Sequence, residues 1–351
     1  MRGVPASIDR RSALRHLLAA AGVTGLSAGW PSHLHAQAPP ARARRIDVHH
    51  HFAPPAWIAE VKGRPMLQAA NTRWTPEQSI DDLDRGGTAA ALISITNPGL
   101  WFGDAAVTAR LARACNEFGA TLVQRYPTRF GLLAAMPLPD VDATLAEIAY
   151  ACDTLKADGI ALFTSYGDRW LGHPSFKPVM AELHRRKAVV HVHPTAANCC
   201  RNLEYAPGIA PGTMEYGTDT TRAIIGVTFS GDAAAYPDIR FIWSHAGGTA
   251  PFLASRIDGA SRNAADRLPA GFITAAARFF YDLAGATNPG AVASLLQLVT
   301  SRQILFGTDF PPGGSNRDNA AALEKLALFS AADRQLIEWD NAVRLFPRLN
   351  R

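Results

Sequence analysis

Cysteine is scarce in this chain and stands in no ligand pattern. Its four thiols, Cys115, Cys152, Cys199 and Cys200, contain no C-x-x-C spacing, which excludes the common zinc-ribbon and dithiol redox frameworks. Cys199 and Cys200 are adjacent, and a bridge between such neighbours is strained, so free thiols are expected. Basic clusters are missing as well. The formal net charge of +5 owes +3 to residues 1–38, where Arg2, Arg10, Arg11 and Arg15 face only Asp9. The remaining +2 is spread without a Lys/Arg patch, so neither nucleic acid nor an anionic membrane is expected as a partner of the mature chain. No internal repeat is visible. No glycine-rich phosphate turn follows the first strand-like run, where Phe52-Ala53-Pro54-Pro55 stands instead.

What is present begins with a leader. Arg10-Arg11-Ser12-Ala13-Leu14-Arg15 is similar to a twin-arginine motif, with Asp9 where Ser or Thr is usual and Ala13 where a Phe-like residue is usual. An apolar run from Leu17 to Trp30 follows, too short to span a bilayer, and Ala36-Gln37-Ala38 is a small-residue cleavage pattern. Cleavage after Ala36 is an alternative, since Pro39 is an awkward neighbour for a signal peptidase. Residues 1–38 therefore read as an export signal and 39–44 as a Pro/Ala/Arg linker. This places the mature chain in the periplasm; a leader that does not function would leave it in the cytoplasm.

From residue 45 onward the pattern is strand then helix, repeated. Apolar, β-rich runs stand at Ile46–Phe52, Ala90–Thr96, Gly131–Leu138, Gly159–Thr164, Val189–His193, Phe241–His245, Phe279–Leu283 and Ile304–Asp309. Amphipathic stretches separate them, among them Pro76–Gly86, Ala105–Tyr126, Ala143–Lys156, Phe176–Lys187, Asp219–Tyr236 and Pro289–Ser301. Continuous apolar strands alternating with helices predict a parallel sheet covered on both faces. Eight of them predict a closed (β/α)8 TIM barrel in a single α/β domain spanning 45–349. The connection from Ala53 to Thr75 exceeds a normal strand-to-helix loop and reads as a lid or pocket wall.

The chemistry begins with Asp47-Val48-His49-His50-His51. In a strand, residues two apart share a face, so His49 and His51 can both point at one metal ion while His50 points away. Three further segments end their own strand-like runs with suitable groups: His191-Val192-His193-Pro194, Ser244-His245-Ala246-Gly247-Gly248 and Gly307-Thr308-Asp309-Phe310-Pro311. Carboxyl ends of strands are where such a barrel assembles its active site.

Together these motifs resemble the amidohydrolase superfamily. The chain is most similar to its branch of metal-dependent decarboxylases related to aminocarboxymuconate semialdehyde decarboxylase, and within it to 6-methylsalicylate decarboxylase-like proteins. Ile46–Pro55, Trp74–Gly87, Arg129–Asp140, Asp219–Ile224 and Arg240–Ile257 carry that closer match. The resemblance implies His49, His51, His193 and Asp309 as ligands of one divalent metal, zinc first and manganese second. It implies His245 as a catalytic acid/base beside Asp309, and Arg256 as a carboxylate-binding group, in some members across a dimer interface. Arg73 and Arg222 are further candidates for that role, and Asp282 for orienting a ligand. His191 is assigned to packing or support. Strand 4 carries no lysine of the kind that bridges two metals in binuclear members.

The reaction so implied is non-oxidative decarboxylation of an ortho-hydroxybenzoate, a small aromatic carboxylate held against Phe52, Trp57, Trp101 and Phe310. The resemblance also implies a homodimer. The alternative reading is metal-dependent hydrolysis of a lactone or amide on the same barrel. A non-catalytic binding protein that keeps the barrel is a third.

Overall fold

Eight short parallel strands lie side by side in the order in which they leave the sequence. The computed structural model describes residues 45–64, 68–195, 209 and 212–350. The predicted leader and linker and the Cys199/Cys200 pair lie outside these residues. The strands are β1 (Ile46–His51), β2 (Ala90–Ser94), β3 (Phe130–Ala135), β4 (Gly159–Phe163), β5 (Val189–His193), β6 (Arg240–Trp243), β7 (Phe280–Asp282) and β8 (Ile304–Leu305). Helices run between them, so each strand is buried on both faces. This is the (β/α)8 barrel that the alternation predicts. Two residues each at Ser165–Tyr166 and Arg169–Trp170 add a small antiparallel hairpin after β4. No helix among the described residues is long and apolar enough to cross a membrane.

Local sequence explains where the helices begin. Pro76–Gly86 opens with a reciprocal cap between Thr75 and Gln78, has Pro76 in its first turn, and ends on Gly87 in the left-handed region. Asp104 caps Ala105–Arg125 by accepting from the Val107 amide at 2.9 Å. The connection from Ala53 to Thr75 is more ordered than a free lid. It holds helices at Pro55–Val61 and Ala69–Thr72, and the Trp57 indole donates to the Gly99 carbonyl at 2.8 Å, tying it to the loop after β2.

Strict alternation fails at one point in β1, and the failure decides the interior. Between Asp47 and His50 the strand gains a residue relative to β2, a β-bulge. Val48 therefore joins Ile46, Leu92, Leu133, Val189, Ile242 and Leu305 in the apolar barrel interior, closed from the amino-terminal end by Leu345, Phe346 and Leu349. His49 and His51 lie above this layer. Asp47 and His50 turn outward to the helices, where His50 meets Asp47 at 3.0 Å and the Ser79 hydroxyl at 2.8 Å.

Closure of the barrel is equally irregular. Only Ile304–Leu305 keep strand form, shorter than the predicted run to Asp309, because residues 306–310 bind β1 out of register. Val48 N donates to Phe306 O at 3.0 Å, Asp309 N to His49 O at 2.8 Å and His51 N to Phe310 O at 2.8 Å. Gly307 is needed at this crossing, since a Cβ there would lie 2.9 Å from the His49 Cβ. The fully buried Asp47 carboxylate stitches the seam. It accepts from Thr308 N at 3.1 Å and Thr308 Oγ1 at 2.6 Å, from His49 N at 3.1 Å and from Asn316 Nδ2 at 3.2 Å.

Removing that carboxylate strands several buried donors at once. Asp47→Ala is expected to cost about 3–5 kcal/mol, the range for breaking a buried charged network by deleting one partner. Urea unfolding of the full chain measures it; a loss under about 1 kcal/mol would mean the seam is held elsewhere.

Candidate metal centre

The bulge and the seam converge at the carboxyl ends of the strands. There His49, His51, His193 and Asp309 bring one ligand atom each to within 4.8 Å of one another. Asp309 Oδ1 lies 2.8 Å from His51 Nε2, 3.4 Å from His49 Nε2 and 3.8 Å from His193 Nε2. Asp309 holds a left-handed backbone at φ 60°, a conformation uncommon outside glycine and frequent at functional sites. Hydrogen bonds from its amide to His49 O and from Gly313 N to its carbonyl, 2.6 Å, keep it there.

Three acceptors set the direction of the three rings. His49 Nδ1 meets Asp282 Oδ2 at 3.0 Å, His51 Nδ1 meets the Ser94 carbonyl at 3.3 Å, and His193 Nδ1 meets the Pro194 carbonyl at 2.7 Å. Each acceptor favours a proton on Nδ1, so every Nε2 faces the common centre. His193 Nε2 is buried and has no hydrogen-bond partner. Three imidazole nitrogens, one of them orphaned, and one carboxylate fit a divalent cation.

His191 does not join this group. Its Nε2 binds Asp282 Oδ2 at 2.9 Å, so Asp282 receives both His49 and His191, and its Oδ1 takes the backbone amides of His245 and Ala284 at 3.1 Å each. His245 follows β6 with φ 53°, and its Nε2 lies 3.6 Å from Asp309 Oδ2. His245 and Asp309 side chains keep 16% and 17% exposure while His49 and His51 keep none, so the centre opens to solvent through this pair.

Electrostatics follow from burial. Burial lowers His51 to about 4 and His193 to about 3, and Asp309 only partly offsets it. Burial also lowers His191 to about 4. For His49 burial pulls down, but the charge and hydrogen bond of Asp282, with Asp309 behind it, raise the ring to about 10. Burial pushes the Asp309 carboxyl up, yet the surrounding rings of His193, His245, His49 and His51 hold it well below the usual carboxylate range. His49 thus carries a proton in the free protein that a cation would displace.

The remaining expected site residues are not brought to this centre. Phe52 and Trp57 are core rather than pocket wall, at 2% and 0% exposure. Phe52 comes one residue after inward-facing His51, so its ring enters the helix layer against Trp74, Phe118 and Gly119. Phe310 stacks outward on His50, with centroids 4.8 Å apart. Arg73 and Arg256 are exposed and make no hydrogen bond or ion pair with the cluster among the described residues. Arg222 approaches Glu215 and Asp219 at 3.9 and 3.8 Å. Three residues near the centre escaped the sequence reading: Phe163 edge-on to His193 at 6.1 Å, Tyr216 at 6.3 Å from the same ring, and Asn97, which contacts Tyr216. Phe163 and Asn97 stand at or just after the carboxyl ends of β4 and β2, a position that could have marked them. Tyr216 sits inside a helix and gave no such signal. The Asp47–His50–Ser79 chain has the order of a hydrolase triad, but all three residues are fully buried and the Ser79 hydroxyl already accepts from the Trp74 indole at 2.8 Å.

Comparison with known proteins places this geometry. A family model described as Amidohydrolase matches residues 46–348. The chain is similar to a 6-methylsalicylic acid decarboxylase from Penicillium expansum, 36% identical over 324 residues that cover 87% of this chain and 97% of the relative. It is also similar to a decarboxylase from Aspergillus niger, 36% identical over 326 residues covering 87% and 88%. A crystal structure described as an amidohydrolase II superposes with a TM-score of 0.80 at 27% identity, covering 86% of this chain and 99% of that one.

The shifted groups set a pH dependence for the metal-free protein. His51, His191 and His193 are lowered in the fold, so the unfolded chain takes up more protons below pH 6.5, and stability falls from there toward about 3. Asp309 adds loss in the same direction at lower pH. His49 is raised, so its contribution is complete below 6.5 and is lost as pH rises toward about 10. Urea midpoints of the chelator-treated chain should therefore peak near pH 6.5. Adding a divalent cation should flatten the alkaline limb and release a proton measurable in weak buffer. A monotonic rise from pH 6.5 to 10 without metal would contradict the His49 assignment.

Proposed function

The chain belongs to the amidohydrolase family, and we propose that it is a metal-dependent carboxy-lyase that removes CO2, without oxidation, from an ortho-hydroxybenzoate such as 6-methylsalicylate. The observation that carries this reading is the convergence of His49, His51, His193 and Asp309 on one point with His245 beside them, in a chain so similar to decarboxylases of that kind. A cation held by these four groups supplies Lewis-acid stabilisation of the negative charge on substrate oxygens. Zinc suits the three imidazoles and one carboxylate, and manganese is the second choice.

The residues of the chain handle the proton. Loss of CO2 directly from an arene would leave an aryl carbanion, so the ring carbon bearing the carboxylate must gain a proton before or during cleavage. Asp309 Oδ2 and His245 Nε2, 3.6 Å apart and the partly exposed members of the cluster, are the groups placed to handle it, His245 as donor and ionised Asp309 as its anionic partner. The electron pair of the breaking C–C bond then returns to the ring, restoring aromaticity, and CO2 departs as a neutral molecule. Solvent reaches His245 to replace the proton consumed. Asp282 holds the His49 ring and the His245 amide together, so it positions both the metal-facing and the proton-handling sides. The same reading places the mature protein in the periplasm as a homodimer, on the support of the Arg10-Arg11 leader and of the resemblance.

Mass spectrometry of products after incubating the metal-loaded protein with 6-methylsalicylate and with aryl lactones is the direct test. A product lighter by CO2 is expected; a product heavier by water would make the chain a hydrolase. His245→Ala should lower turnover by about 10²–10⁴ with metal content unchanged, and unaltered turnover would remove the acid/base role. His49→Ala should lose bound metal, read by elemental analysis, and retention of a full equivalent would break the ligand set.

A further inference from the structure

A departing carboxylate needs a partner, and of the arginines expected for it Arg73 and Arg256 are exposed while Arg222 approaches Glu215 and Asp219. A neutral pair stands beside the centre instead. Tyr216, on the helix Gly212–Phe229, brings its half-buried ring to 6.3 Å from His193, and its hydroxyl is near enough to feel the charge of Asp309. Gly212 lies against that ring, since a Cβ there would sit 2.7 Å from it. Asn97, in the turn after β2, lies beside Tyr216 and is anchored behind, its Nδ2 donating to the Pro194 carbonyl at 3.1 Å. Asn97 Oδ1 is buried without a hydrogen-bond partner, an acceptor left free beside the centre. Phe163 also stands against His193, an apolar wall backed by Gly99.

We propose that Tyr216, oriented by Asn97, holds the substrate carboxylate through a neutral hydrogen bond, in the place an arginine was expected to fill. The proposal rests on the decarboxylase reading and names the group of this subunit that grips the leaving carboxylate. A tyrosine hydroxyl keeps its proton at neutral pH and can donate. Neutrality suits the chemistry. A guanidinium would favour the anionic ground state over a departing group whose charge is being withdrawn into the ring, and ground-state binding in excess of transition-state binding slows turnover. A neutral hydroxyl orients the carboxylate without that bias.

The test uses an analogue that cannot lose CO2. 3-Methyl-2-nitrophenol has the ring, methyl and phenol of 6-methylsalicylate with a nitro group in place of the carboxylate, and 3-methylphenol lacks that group altogether. Titration of both against the zinc-loaded full chain, followed by absorbance and protein fluorescence, gives their Kd values. Tyr216→Phe should weaken the nitrophenol about tenfold, the effect of one hydrogen bond of about 1.4 kcal/mol. It should leave 3-methylphenol and the zinc content unchanged, and Asn97→Ala should weaken the nitrophenol in the same selective way. Equal weakening of both ligands, or no change in either, would overturn the proposal. Because these readouts are equilibria, they stand apart from the reaction. If the unaltered protein binds the nitrophenol selectively but releases no CO2 from 6-methylsalicylate, the decarboxylase reading fails and the Tyr216 contact survives.

Discussion

Everything at the centre depends on how β1 meets the segment after β8. A barrel closes only if its last strand finds the first, and here the closing segment must also deliver a carboxylate inward from a left-handed residue, Asp309. A regular ladder cannot do both. The chain resolves this with a bulge in β1 and a crossing at Gly307, and it secures the irregular seam with the buried Asp47 carboxylate. Asp47 binds backbone and side chain of Thr308 on one side and the His49 amide on the other, so the residues flanking it are the ones that face the metal. The fold and the site share one set of hydrogen bonds.

Two further carboxylates divide the electrostatic work. Asp309 lies among the imidazole nitrogens, while Asp282 stands one layer below and fixes rings and amides. Burial drives His51 and His193 toward the neutral form, which is the form that can ligate. His49 is held protonated in the free protein by its contact with Asp282. The centre therefore holds a proton on His49 where a cation would replace it, and the anionic charge of Asp282 and Asp309 is available to balance that cation.

Below the histidines the barrel is apolar and plugged, and above them it opens through His245 and Asp309. This polarity makes one direction of approach possible. A ligand entering from the carboxyl ends of the strands would reach the buried imidazoles past the partly exposed His245 and Asp309. The Asp47–His50–Ser79 chain shows the converse. Its groups are correctly ordered for acyl transfer, but they face the helices with no exposed surface, and they serve to hold His50 under Phe310 and Ser79 against Trp74.

The primary sequence by itself determined the barrel and the identity of the chemistry. Strand-like runs alternating with amphipathic stretches admit few other architectures, and His-x-His, His-Pro, Ser-His-Ala-Gly-Gly and Gly-Thr-Asp at strand ends name groups whose chemistry is legible one by one. Helix starts such as Thr75-Pro76 were equally legible, because capping is local. The tertiary structure alone decided which neighbours each group meets. A bulge sends Val48 inward and Asp47 outward against simple alternation, and register between distant strands is not encoded in either strand separately. Phe52 and Trp57 read as pocket aromatics yet became core, since an aromatic residue carries the same sequence signal in either place. Tyr216, inside a helix, stayed invisible, and Asn97 was marked only by its place just after β2. Their meeting beside His193 joins segments 119 residues apart in the chain, and only the closed barrel brings those segments together.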